Sequence, residues 1–254
     1  MVLIGGGVLV LALALVAFLV FRSPEEASAP IEAIPLAQPT AASALTAAPT
    51  DVALTAPTAA PTAAAAAPTS APAAAAPQVF QIVSAQSEAR FLIDEVLRGS
   101  PVTVVGATNQ VAGQIAVDPT NPQSTQLGPI QINARTLATD NDFRNRAIKN
   151  VILRTDDYEF VTFTPTGISG MPEAVSVGQP FSFQVNGDLT IADVTRPVTF
   201  DVTVTPTSDT QIEGTASTTI AYRDFELTIP DSPAVDTVAD QVRLELQFIA
   251  EPVA

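Results

Sequence analysis

The 254-residue chain contains no Cys, no His and no Trp, and Lys149 is its only Lys. Each absence excludes chemistry. Without His or Cys there is no Ser-His-Asp triad, no cysteine nucleophile, no zinc site of the usual ligand types and no c-type haem attachment. Disulfides are excluded as well. Positive charge is scarce: 11 Lys+Arg stand against 26 Asp+Glu, a formal net charge of -15. Nucleic-acid binding requires clustered cations that displace counterions from phosphates, and this balance speaks against it.

What is present falls into three zones. Val2 to Phe21 is an unbroken run of twenty apolar or glycine residues, about 30 Å long as a helix and so able to span the hydrocarbon of a bilayer. A transmembrane anchor over residues 1–22 is expected. The rival is a cleaved secretory signal, for which Ala27-Ser28-Ala29 offers an A-x-A triplet. Against it, the run exceeds a usual signal core, no basic segment precedes it, and Pro30 would follow the cut. Residues 23–77 are rich in Ala, Pro and Thr, with Ala-Pro-Thr recurring at 48–50, 56–58, 60–62 and 67–69. Frequent proline and few large apolar groups predict a disordered, partly polyproline II linker. Extended at about 3 Å per residue, it could hold a domain more than about 100 Å from the membrane. Residues 78–254 have ordinary complexity and the size of one domain.

Period-two alternation dominates this third zone. Phe181, Phe183, Val185 and Leu189 oppose Ser182, Gln184, Asn186 and Asp188; Val198, Phe200, Val202 and Val204 oppose Thr199, Asp201, Thr203 and Thr205; Val242, Leu244, Leu246 and Phe248 oppose Arg243, Glu245 and Gln247. Such strands have one buried and one wet face, the antiparallel arrangement. Further strands are predicted at 79–84, 89–97, 102–107, 111–117, 127–134, 158–164, 211–220 and 223–229. Between Asp142 and Leu153, Phe143, Ala147, Ile148, Val151 and Ile152 form a helical stripe, with Asp140, Asn141 or Asp142 as N-cap. So many short strands must curl or stack to protect their edges, and a barrel closed by the helix is the preferred form.

The segment Val185 to Phe200 (VNGDLTIADVTRPVTF) resembles the most distinctive motif of the YceI-like family, GDLTxxGVTRPVT. Ser87 to Phe91, Val111 to Asp118, Ile132 to Arg144, Tyr158 to Phe163 and Asp224-Phe225 resemble other family segments in the same order. The resemblance covers residues 78–254 and implies an all-β fold, an extended antiparallel lipocalin-like β-barrel with one inserted α-helix. It also implies a tunnel that binds a polyisoprenoid or similar long-chain lipid, in an extracytoplasmic protein, periplasmic or on the cell surface. This sequence departs from the family in having Ala192-Asp193 where x-Gly is usual and Glu159 where Pro follows the tyrosine. It also lacks the family's histidines.

Candidate lining residues are Phe91, Ile93, Ile115, Ile132, Val161, Phe163, Phe181, Phe183, Val185, Leu189, Phe200, Val202, Leu244, Leu246 and Phe248. Pattern alone favours a filled core for them, since small barrels are usually packed by side chains; the resemblance favours a tunnel. Arg135, Arg144, Arg146, Lys149 and Arg154 give residues 135–154 a local charge of +3 against Asp140 and Asp142. Either they form a solvated helix face, or their donors receive a lipid phosphate head group. Asp140 and Asp142 begin like a calcium loop, but Arg144 and Arg146 occupy positions that need oxygen ligands. No metal, cofactor or catalytic residue is expected. The expected role is lipid binding by a membrane-tethered barrel, and the alternative is a stalk-displayed interaction domain with a solid core.

Overall fold

The computed structural model describes residues 22–36 and 77–253. The apolar run 2–21 and residues 37–76 of the expected linker lie outside them. Among the described residues no helix is long and apolar enough to cross a membrane.

Twelve strands form one sheet: β1 Gln78–Ile82, β2 Glu88–Leu97, β3 Ser100–Thr108, β4 Val111–Ala112, β5 Gln114–Val117, β6 Gln126–Leu127, β7 Ile130–Asn133, β8 Phe160–Ser169, β9 Phe181–Ile191, β10 Val194–Ser208, β11 Gln211–Ala221 and β12 Val235–Pro252. Every pairing between them is antiparallel. The sheet curls. Its path of hydrogen-bonded neighbours leaves β4 through β7, β8, β9, β10, β11, β12 and β1 to β5, and ends one strand further on at β6. Only Gly113 separates β4 from β5, so at β5 the path comes back to the stretch of chain on which it began. A Cβ on Gly113 would lie 2.3 Å from Ile130 Cδ1, which is why a glycine stands where the strand changes partners. The β2–β3 hairpin pairs with the earlier part of β12, while β1 takes its last residues.

Between β7 and β8 the chain forms a helix, α1 (Asp142–Ala147), which widens into a π turn over Ile148–Ile152. Asn141 is its N-cap, accepting from the amides of Phe143 at 2.9 Å and Arg144 at 3.1 Å. The α-helix expected over 142–153 is thus shorter, because Leu153 N donates to Ile148 O across five residues. Phe143, placed by the pattern in the apolar stripe, is instead 64% exposed, with the Arg146 guanidinium 5.8 Å from its ring centroid.

The strand expected at 223–229 does not form. Tyr222–Phe225 is a 3-10 turn and Glu226 adopts a left-handed φ of 57°. The alternation there has another cause: Phe225 is 2% exposed, and Leu227 and Ile229 also point into the interior, though no ladder partner accompanies them. Conversely β12 extends well before the expected 242–248, through an irregularity between Val238 and Val242.

Residues 23–36, which composition assigns to the linker, lie together with Arg22 along the outside of the domain as a strap. The Arg22 guanidinium pairs with Asp156, and the Arg22 carbonyl accepts a 2.9 Å bond from Asn150 Nδ2. Arg135 pairs with Glu25 at 2.8 Å and donates to the Glu26 carbonyl at 3.1 Å. Ser28 N donates to Glu159 at 2.9 Å, and its hydroxyl donates to the same carboxylate. Ile31 N and Leu36 N donate to Gln110 and Gln114 at 3.3 and 3.0 Å.

Desolvation raises the Glu159 pKa, but hydrogen bonds from Ser28 and Asn133 and the charge of Arg135 outweigh it and hold the carboxyl below its ordinary 4.5. A depressed carboxylate contributes stability that is present above its unfolded pKa and lost as pH falls through the folded value. The strap is therefore expected to loosen in acid, below its footing at pH 4.5. The protection factor of the Ser28 amide against hydrogen exchange should fall there, and Glu159→Gln should flatten that pH dependence. Unchanged protection through the acid range in the wild-type chain would contradict this.

Candidate functional site

The inward faces of the long strands enclose a cavity of about 350 Å³, within the range of ligand pockets, about 300–1,000 Å³. All fifteen apolar positions singled out in the sequence stand on its wall. Along β9 the lining residues are Phe181, Phe183, Val185, Leu189 and Ile191, while Ser182, Gln184, Asn186 and Asp188 face outward and are exposed. From Phe181 to Ile191 the strand itself runs ten steps, about 33 Å at about 3.3 Å per step. Phe91, Phe181, Phe183, Phe200, Leu244 and Leu246 remain only half-buried although they point inward. Their residual exposure is toward the cavity, which a filled core would have removed.

Glycines in inward register keep the lumen from filling. A Cβ at Gly106 would lie 2.1 Å from the Phe91 ring, at Gly187 2.5 Å from Phe163, and at Gly214 2.4 Å from Phe248. Each ring lies flat on a neighbouring strand where no side chain stands, so three large aromatics line the wall without crossing the lumen. Phe163 also meets Phe200 edge to face, centroids 4.9 Å apart, a favoured geometry for aromatic pairs. The signal was present in sequence: Gly187 is in phase with Val185 and Leu189, and Gly214 with Ile212 and Ala216, and mid-strand glycine marks a close approach.

Charge enters this wall in pairs. Arg90 meets Glu245 at 2.9 Å across the β2–β12 ladder, and Arg144 meets Glu95 at 2.9 Å; all four line the cavity. Glu95 continues the inward phase of Ala89, Phe91 and Ile93 and is 8% exposed. Pattern reading passed over it because its partner lies 49 residues away. Three of the five basic residues, Arg135, Arg144 and Arg154, are similarly paired with carboxylates. Arg135 holds Glu25, Glu159 and the carbonyls of Thr155 and Asp156. Arg144 also holds Asp140 at 2.7 Å, and Arg154 holds Asp193 at 2.8 Å while stacking on Tyr158. Arg146 lies over Phe143, and burial lowers the Lys149 pKa. Of the five, Arg144 alone lines the cavity. Among the described residues no group of three or more acidic side chains is placed to hold a metal.

A family model, YceI-like domain, matches residues 80–250. No curated protein sequence matches the chain. Among solved structures, the domain is similar to BcnA of Burkholderia cenocepacia, with 19% identity, a TM-score of 0.53, and coverage of 66% of this chain and 98% of that one. It is also similar to a polyisoprenoid binding domain from Saccharophagus degradans implicated in plant cell wall breakdown, with 15% identity, a TM-score of 0.56, and coverage of 70% and 99%. The Campylobacter jejuni YCEI protein is 18% identical over 59% of this chain and 84% of its own, with a TM-score of 0.47. At these identities the likeness to BcnA and the Saccharophagus domain is one of fold.

Two substitutions test the wall. Gly214→Ala should force the Phe248 ring off its seat and lower stability by about 1–3 kcal/mol, read as a shifted urea midpoint; a neutral result would mean the ring is not seated on Gly214. Arg144→Ala should cost about 3 kcal/mol by leaving Glu95 buried without its partner, and Glu95→Gln combined with Arg144→Met should recover most of that loss. Equal losses in the single and double variants would show that the pair is not what stabilises this wall.

Proposed function

The chain belongs to the YceI-like family, and from that footing we propose that it is a membrane-tethered, extracytoplasmic lipid-binding protein. Its lipocalin-like barrel takes up a polyisoprenoid or a similar long apolar chain and sequesters or carries it. The observation that carries this reading is the unfilled apolar lumen running the length of β9. A lumen of that shape suits a linear hydrocarbon. Each buried methylene contributes about 0.8 kcal/mol, so about ten supply roughly 8 kcal/mol, the size of a micromolar Kd before ordering costs. No polar anchor is required. The Saccharophagus domain, described as polyisoprenoid binding, supports the same ligand class.

Head-group contact is assigned to Arg144, the one residue of the basic cluster at the lumen. Its pairing with Glu95 leaves that spot without net charge. This favours an uncharged head, such as a quinone, over the phosphate that the local charge of residues 135–154 suggested. The proposed role is binding and not catalysis. Residues 2–21 serve as the membrane anchor, with the barrel on the extracytoplasmic side.

Native mass spectrometry and solvent extraction of the full chain purified from membranes test the proposal. A co-purifying long-chain lipid is expected, and Ala216→Trp, at a lumen-lining position, should abolish it while the circular dichroism stays that of a β protein. A clean protein that binds none of a broad panel of prenyl lipids would leave the interaction-domain alternative.

A further inference from the structure

The strap determines where the barrel stands relative to the apolar run. Arg22 directly follows Phe21, the last residue of that run, and Arg22 is fixed to Asn150 and Asp156. Arg22, the residue that follows the run in sequence, is thus held at the π turn, to which Asn150 belongs. Ile148 and Ile152 of the same turn line the lumen. Arg22 and this end of the lumen therefore lie together. Here the wall is built by α1 and the π turn, joined to β2 by the Arg144–Glu95 pair, while Ala138, four residues before α1, bridges to Ala107 of β3. It is a packed helix and not a continuous ladder.

The outer side of this element suits a lipid surface. Phe143 is 64% exposed, a large aromatic of the kind that settles at a membrane interface. Among the described residues neither Arg146 nor Lys149 has a carboxylate partner, which leaves both cations for anionic head groups. We infer that the strap Arg22–Leu36 holds the α1 end of the barrel against the bilayer that carries residues 2–21, and that the lumen is loaded at this end from the lipid phase. This rests on the proposed anchor and ligand. The barrel thus stands on the membrane surface, not at the end of a long stalk. A water-insoluble chain passes between bilayer and lumen without crossing the solvent.

The experiment uses the full chain in liposomes of anionic phospholipid doped with a spin-labelled quencher lipid. Since the chain has no Cys, a single introduced thiol carries a fluorophore at one of two places. Asp142→Cys reports on α1. Asp209→Cys reports on the β10–β11 turn, which follows Ser208, fourteen strand steps and so about 46 Å from Val194 at about 3.3 Å per step; Val194 follows Asp193, which is tied to Arg154 at the α1 end. Quenching several-fold stronger at 142 than at 209 is expected. Releasing the strap by Arg22→Ala, Glu25→Ala and Ser28→Ala together, which leaves the domain's own residues untouched, should bring the two positions together. Equal quenching at both positions with the strap intact, or failure of the chain to join liposomes, would overturn the inference. Lipid extraction from the same samples separates the two readings: bound lipid with equal quenching refutes only the orientation, and unequal quenching with no lipid bound supports the orientation while refuting the ligand.

Discussion

The interior of this protein depends on one constraint: the antiparallel ladder must return to the strand from which it set out. Backbone amides and carbonyls at a free edge would need partners or water, and here the path of paired strands comes back at β5, one glycine from its origin at β4, before it ends at β6. Gly113 lets the chain change partners because Ile130 and Ile82 crowd the space a side chain would take. Once the sheet has curled back to that point, the alternation of each strand acquires meaning. One phase faces solvent, and the other faces a common lumen. The apolar character of that phase then follows from burial, and its partial exposure follows from the lumen being wider than its side chains can fill.

Much of this was legible in the sequence because it is written at period two. The strands β9 and β10 could be read from Phe181 to Val204 with their faces assigned, and the residues that line the lumen came from that assignment. The reading failed where periodicity had another cause. Phe225, Leu227 and Ile229 alternate as a strand would, yet they reach inward from a chain segment that makes no ladder. The first part of β12 went unread because Asp236 and Asp240 and the irregularity before Val242 interrupt its pattern. The helix was read with the right start but the wrong extent, since a π turn places Ile148 and Ile152 on the lumen without changing the apolar spacing.

Electrostatics was the least legible layer, for a simple reason. Local counting gave residues 135–154 a charge of +3, but the partners that answer those charges are distant in the chain: Glu95 for Arg144, Glu25 and Glu159 for Arg135, and Asp193 for Arg154. The strap was invisible for a related reason. Several of its contacts are backbone amides donating to Gln110, Gln114 and Glu159, and amides are common to every sequence. Composition could describe the segment only as Ala- and Pro-rich. Its place was decided by acceptors on the domain.

The strap's far end gives the low-complexity segment a different standing. Leu36 is held at Gln114, and Gln78 pairs with Val117, three residues along the same strand. Leu36 and Gln78, on either side of residues 37–76 in sequence, therefore stand against β5 positions about 10 Å apart at the usual strand rise. Closing a flexible loop becomes only about 0.6 kcal/mol less favourable for each doubling of its length. Length in this segment is then nearly neutral: dozens of residues could be inserted or removed without altering the architecture on either side. With both flanking positions held on one strand, the number of residues between them is no ruler of the distance from membrane to domain.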